Sequence, residues 1–143
     1  MGRVVDESLY PQLTKETLMR TLNDYFLTAE IEDISTASST SVPVPDGGEI
    51  IKITTALQGA ISGGNAAISF EIGGTAVTGG GITVAHSGSA AGTVDSSVPT
   101  AANRVEEDGT IEMITDGGST GAKKLLVTSV SYTHLRAHET TRH

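Results

Sequence analysis

The sequence predicts an all-β protein: an antiparallel β-sandwich, jelly-roll-like, preceded by a short N-terminal amphipathic helix. Three observations predict it. Apolar and polar residues alternate with a period of two through residues 49–57 and again through 66–72, the pattern of strands with one face buried. Seventeen glycines, many in pairs or triplets, punctuate the chain with turn signals at intervals of about 8–12 residues. Aromatic residues make up only 3% of the chain, so the core must be thin and built from Ile, Val, Leu and Ala.

The 143 residues suit a single β domain over 28–128, with an arm and helix at 1–27 and a distinct tail at 129–143. No cysteine is present, which excludes disulfides and thiolate metal sites. The formal net charge of −8 opposes a nucleic-acid partner, because phosphate binding needs clustered Lys and Arg. No apolar run approaches the roughly 20 residues of a membrane helix, and MGRVVDESLYPQL lacks the apolar centre of a signal peptide. Synthesis in a cytoplasm and no membrane partner are the expectation.

In chain order, an extended arm ends near Pro11. Thr14 is placed to cap a helix, with Leu13 and Leu18 as its hydrophobic staple. Leu18, Leu22, Tyr25 and Phe26 then fall at i, i+4, i+7 and i+8, one stripe of a helix of about three turns that needs a covering surface. Ala29 and Ile31 begin a weaker strand pattern. Val42-Pro43-Val44-Pro45 is extended and, lacking donors at its prolines, belongs at a sheet edge. Residues 49–57 and 66–72, joined by GAISGGN, read as a central β-hairpin. Gly73-Gly74 marks a tight turn into 75–78, and further strands are expected at 82–84, 91–95, 110–115 and from Lys123 onward. The predicted core is Ile51, Ile53, Leu57, Ile68, Phe70, Ile72, Ile82, Val84, Ile111, Met113 and Val127.

The tail departs from the Gly/Thr/Ser character of the body. VSYTHLRAHET, residues 130–140, resembles the translation of a transposase sequencing adapter of the kind found at the ends of reading frames from short-read metagenomic assemblies. That resemblance implies that the natural reading ends near Thr128. His134 and His138 stand at i, i+4, the spacing of two zinc ligands on a helix, but no Glu follows the first His and no third ligand is evident.

Other candidate chemistry dissolves on inspection. Gly73-Gly74 and Gly79-Gly80-Gly81 precede no Lys-Ser or Lys-Thr and open no helix, so they are turn glycines and not a phosphate cradle. His86 stands in HSGSAAG without a G-x-S-x-G elbow. Asp46, Asp116 and Glu106-Glu107-Asp108 lack the spaced acidic pattern of a calcium loop. Neither a catalytic, cofactor nor metal site is expected, and no enzyme.

The succession ISTASSTSVPVPDGGEIIKITTALQGAI, ISFEIGGTAVTGGGITV, HSGSAAGTV and PTAANRVEEDGTIEMITDGGST, closed by a Lys-Leu-Leu-Val strand, resembles small β-sandwich virion proteins of tailed bacteriophages, of the head-decoration and head-fibre kind. The resemblance covers about residues 34–128. It implies a structural protein located in the virion, without cofactor, often a homotrimer, whose partners are capsid or other virion proteins; Leu18, Leu22, Tyr25 and Phe26 are then the candidate oligomer or docking interface. The competing expectation is a receptor- or glycan-binding module of a tail fibre or adhesin.

Overall fold

The structure, a computed structural model, describes residues 24–133. Ten strands follow in order: β1 (Asp24–Ile31), β2 (Ser38–Pro43), β3 (Gly48–Leu57), β4 (Ala66–Ile72), β5 (Thr75–Ala76), β6 (Ile82–Val84), β7 (Val94–Ser97), β8 (Arg104–Val105), β9 (Thr110–Thr115) and β10 (Leu125–Tyr132). They form two five-stranded antiparallel sheets. The first runs β1-β10-β3-β7, with β8 also on β3; the second runs β2-β9-β4-β5, with β6 also on β4. The inward side chains of both sheets meet in one aliphatic cluster that includes Ile31, Ile50, Ile53, Leu57, Ile68, Phe70, Val84, Met113, Leu125 and Val127. The sandwich expected from alternation and turn spacing is the fold observed.

Three expectations are corrected. Residues 49–57 and 66–72 are both strands, but they are not a hairpin: β3 pairs with β10, β7 and β8, while β4 pairs with β9, β5 and β6. Alternation records which face of a strand is buried, and strands facing each other across a core carry the same pattern as strands paired side by side. The GAISGGN segment is therefore an arch between sheets. Its Ile61 is buried at 4% exposure, and the Ser89 hydroxyl fastens it by accepting from the Ile61 N–H (2.9 Å) and donating to the Ile61 carbonyl (3.1 Å).

The second correction concerns Ile51, predicted to face the core with Ile53. Val130 pairs with Lys52 and Ser131 with Ile50, so Ile51 is the extra residue of a β-bulge. The bulge shifts the alternation by one: Ile50 is fully buried and Ile51 is 39% exposed. Asn103 anchors it, its side-chain N–H donating to the Ile50 carbonyl (2.7 Å) while its own carbonyl accepts from the Ile50 N–H (2.9 Å). The other predicted core residues are buried, except Ile72, which is partly buried against the cluster.

The third correction is to the last two residues of the predicted helical stripe. Tyr25 and Phe26 lie in β1, which pairs along its whole length with β10. An eight-residue ladder to a central strand outweighs a short helical stripe whose stability would itself depend on packing. Leu18 and Leu22 lie outside the described residues. Strand residues also extend past both ends of the predicted 28–128 domain, because β1 begins at Asp24 and β10 continues to Tyr132.

Other turn chemistry is as expected. Gly73 and Gly74, at φ 61° and 82°, join Ile72 to its partner Thr75 in a two-residue turn with both central residues left-handed. Pro43 ends β2, an edge strand. A cavity of about 20 Å³ is bordered by Leu27, Ile50, Phe70, Met113 and Ser129, among others. The Ser129 hydroxyl at this wall has no hydrogen-bond partner.

Candidate docking surface

The exterior of the first sheet is assembled by alternation along four strands, broken once by the bulge at Ile51. Register places Glu30, Leu126, Ala56 and Val94 in one row across β1, β10, β3 and β7. The next row is Thr28, Thr128, Thr54 and Ser96, and the third is Phe26, Val130 and Lys52, with the bulged Ile51 beside it. The exposed large apolar residues of the described chain are Phe26 (71%), Ile51 (39%), Val94 (62%), Val98 (62%) and Leu126 (36%). Four of them belong to this exterior, and Val98 directly follows β7. Between the two apolar-bearing rows the face is polar: the Thr28 and Thr128 hydroxyls share a hydrogen bond (3.3 Å), and Lys124 pairs with Glu30 at 3.6 Å.

The exterior of the second sheet uses the same alternation differently. Its rows read Ser41, Glu112, Glu71, Ala76 and Ser39, Ile114, Ser69. Two carboxylates, Glu71 and Glu112, stand directly opposite each other, and like charges so placed repel. A hydrated surface relieves that repulsion; an apolar contact would aggravate it.

Of the four residues predicted as an interface, the structure describes two, and it separates them. Tyr25 points inward, half-buried, and its hydroxyl donates to the Asp46 carbonyl. Burial pushes its phenol pKa up, with the Asp46 charge adding to the rise and a hydrogen bond with Ser131 opposing it. Phe26 points outward on the apolar exterior. Sequence reasoning missed Ile51, Val94, Leu126 and Val130 as its companions. The available signal was the doublets Ile50-Ile51 and Leu125-Leu126: two adjacent large aliphatics in one strand cannot both face the core unless a bulge intervenes.

The loop candidates have local partners. Asp116 accepts from the Ala67 N–H (3.0 Å) and the Gly118 N–H (2.9 Å), which hold its carboxyl below the usual range. Asp33 is lowered by the Ser35 hydroxyl and N–H, and by the Thr36 hydroxyl. His86 is bound through its N–H (3.0 Å) and Nδ1 (2.8 Å) to Asn65 Oδ1. Among the described residues, no group of three or more His, Asp and Glu could hold a metal ion, and no helix is long and apolar enough to cross a membrane.

No family profile matches the sequence, and none of the curated proteins compared with it does. Similarity is found at the level of fold. A chain from the acid-stable capsid structure of Helicobacter pylori bacteriophage KHP30 aligns over 76% of this chain and 86% of its own, with 12% identity and a TM-score of 0.53. A chain from the capsid asymmetric unit of cyanophage Pam1 aligns over 78% of this chain and 85% of its own, with 13% identity and a TM-score of 0.51. The protein thus shares a two-sheet β fold with chains of phage capsids.

Proposed function

We propose that this is a structural protein of a bacteriophage virion, of the capsid-decoration or head-fibre kind, synthesised in the host cytoplasm and acting by binding to the particle as a homotrimer without catalysis. The observation that carries the reading is the fold likeness to capsid chains of two phages, which extends over most of both chains in each case. A stable sandwich with one apolar exterior suits a protein whose work is attachment. Tyr25 and Phe26 lie on opposite faces of β1, so they cannot serve one interface together; the exterior of the first sheet, with Phe26, Val94 and Leu126 exposed, is the surface that supports association. Light scattering on the purified chain should give three times the chain mass, and a monomer at high concentration would remove the trimer. Incubation with particles stripped of their decoration should show saturable binding. Failure there, with retention on host polysaccharide, would favour the glycan-binding alternative.

A further inference from the structure

Among the described strands, β1 has the one long sheet edge that the fold leaves open, and we propose that this edge takes up an extended, basic segment of another protein as an added strand. This goes beyond the virion reading and does not rest on it. The first argument is the direction of the backbone groups. The Gln58 N–H donates to the Lys124 carbonyl (3.0 Å), one step beyond the pair Leu57 and Leu125. Leu126 and Thr128 therefore turn their N–H and C=O groups towards β3, and Leu125, Val127 and Ser129 turn theirs towards β1. Their partners in β1 are Ile31, Ala29 and Leu27. The N–H and C=O groups of Phe26, Thr28 and Glu30 are left pointing sideways out of the sheet, in its plane, with no ladder partner among the described residues.

The second argument is how the other edges are closed. β7, β6, β8 and β5 have only four, three, two and two residues. β2 has six, but the Val44 N–H bond to the Gly109 carbonyl (2.9 Å) fixes its outward positions as Ser39, Ser41 and Pro43, and Pro43 has no N–H to offer. Short strands and proline are devices that keep an edge from pairing. β1 uses neither: its eight residues include no Pro, Gly or Lys, and its register with β10 is unbroken. Its inward side is also unfinished. Tyr25, Leu27 and Ala29 are half-buried, whereas Leu125, Val127, Ser129 and Ser131 of the adjacent β10 are buried. A further strand beyond β1 would cover Leu27 and Ala29 beside the cavity that they line with Val42.

The third argument is charge, and it selects the occupant. Asp24 and Glu30 lie in β1, Glu32 and Asp33 follow it, and residues 24–133 carry four Lys and Arg against thirteen Asp and Glu. Two copies joined antiparallel along these edges would set Asp24 against Glu30 in the register centred on Leu27, and against Glu32 in the register centred on Thr28. Like charges so placed repel. A segment with apolar side chains on its inward face and Lys or Arg at its ends meets the same edge with attraction. Main-chain hydrogen bonds supply the affinity of such an added strand, and its alternate side chains supply the selectivity.

The probe is a capped synthetic peptide in which valine and threonine alternate over about seven residues between terminal lysines, a length matched to the edge, added to the full 143-residue chain. Amide hydrogen exchange reads the edge directly. In the chain alone, the N–H groups of Phe26, Thr28 and Glu30 should exchange fast while those of Leu27 and Ala29, bonded to β10, are protected; saturating peptide should slow the first three on the order of tenfold. Thr28→Pro removes one outward donor and leaves the bonds to β10 in place, so peptide binding followed by fluorescence anisotropy should weaken on the order of tenfold. Ser39→Pro, the matching change on β2, should leave it unchanged. Replacing the terminal lysines of the peptide with glutamates should also weaken binding, most at low salt. Exchange that stays fast under saturating peptide overturns the proposal, as does equal weakening by Ser39→Pro or equal binding of the glutamate peptide. Slow exchange of Phe26, Thr28 and Glu30 in the chain alone overturns it too: persisting on dilution, it would mean that the chain covers its own edge, and vanishing on dilution, that a second copy does. Failure to bind a stripped particle would count against the virion reading and leave these readouts as they are.

Discussion

The two sheets are alike inside and unlike outside. Within the sandwich, β3 and β10 contribute Ile53, Leu57, Leu125 and Val127, and β4 and β9 contribute Ile68, Phe70, Ile111 and Met113, all to one cluster. Outside, the first sheet presents Phe26, Ile51, Val94 and Leu126 on either side of a row of Thr28, Thr128, Thr54 and Ser96, and the second presents serines, Ile114 and the opposed pair Glu71 and Glu112. Alternation alone would make both exteriors polar. The difference teaches that the inner faces are governed by folding, which both sheets share, whereas the outer faces are free to differ and so record what each meets.

The comparison breaks first at the core. Phe70 on the second sheet is 2% exposed and Ile53 on the first is 1% exposed, so Phe70→Ala should cost about 3–5 kcal/mol and Ile53→Ala about 2–5 kcal/mol in denaturant unfolding. A loss below about 1 kcal/mol at either would show that the sheet concerned does not share the common core. A smaller effect is expected at Gly48, where an added Cβ would meet the Tyr132 carbonyl oxygen at 2.6 Å; Gly48→Ala should destabilise by about 1–3 kcal/mol through overpacking of β3 against β10. The Ser129 hydroxyl gives a gain instead. Buried at 8% exposure without a partner, it retains a desolvation cost that Ser129→Ala removes, raising stability by about 1 kcal/mol.

The exteriors respond more gently and in opposite senses. Glu71→Lys turns the repulsion with Glu112 into attraction and should stabilise by about 0.2–1 kcal/mol, measured as a higher denaturant midpoint with unchanged slope; a lower midpoint would mean that something other than water covers the second exterior. The smallest signature is in pH. The carboxyl of Asp116 lies below the ordinary 3.8 in the folded state, so its contribution is complete above that value and is lost as pH falls from 3.8 towards the depressed folded value. Asp116→Asn keeps an oxygen for the Ala67 and Gly118 N–H groups but cannot titrate. Its unfolding midpoint should therefore fall less steeply in acid than that of the parent chain.

Much of this fold was legible in the sequence because alternation and turn residues act locally. Thr110–Thr115 and Ile82–Val84 begin and end where the pattern does, and Gly73-Gly74 turns where paired glycines must. What was not legible depends on partners remote in the chain. Whether residues 49–57 pair with 66–72 or face them is decided by β9 and β10, and the bulge at Ile51 is visible only against Val130 and Ser131. Tyr25 and Phe26 carried a helical spacing that the ladder to β10 overrode. Of the candidate interface, Phe26 was expected from the sequence, but Leu126 and Val94 lie 100 and 68 positions further along the chain and join its face only when the register assembles them: sequence order separates what the sheet places together.

The position of β10 carries a kinetic consequence. Among the described residues it is the last strand and the only ladder partner of β1, yet it sits between β1 and β3. The hydroxyls of Thr28 and Thr128 meet across 100 positions of chain. Loops of that length must close before their contacts reward the closure, so a topology of this kind folds slowly for its size. During synthesis β1 waits, unpaired, until β10 has been made, and its exposed edge is meanwhile a template for other strands. Pulse-labelled amide exchange during refolding should show β1 and β10 gaining protection together and after β4 with β9; early protection of β1 would mean that it first pairs elsewhere and must be released before the sandwich can close.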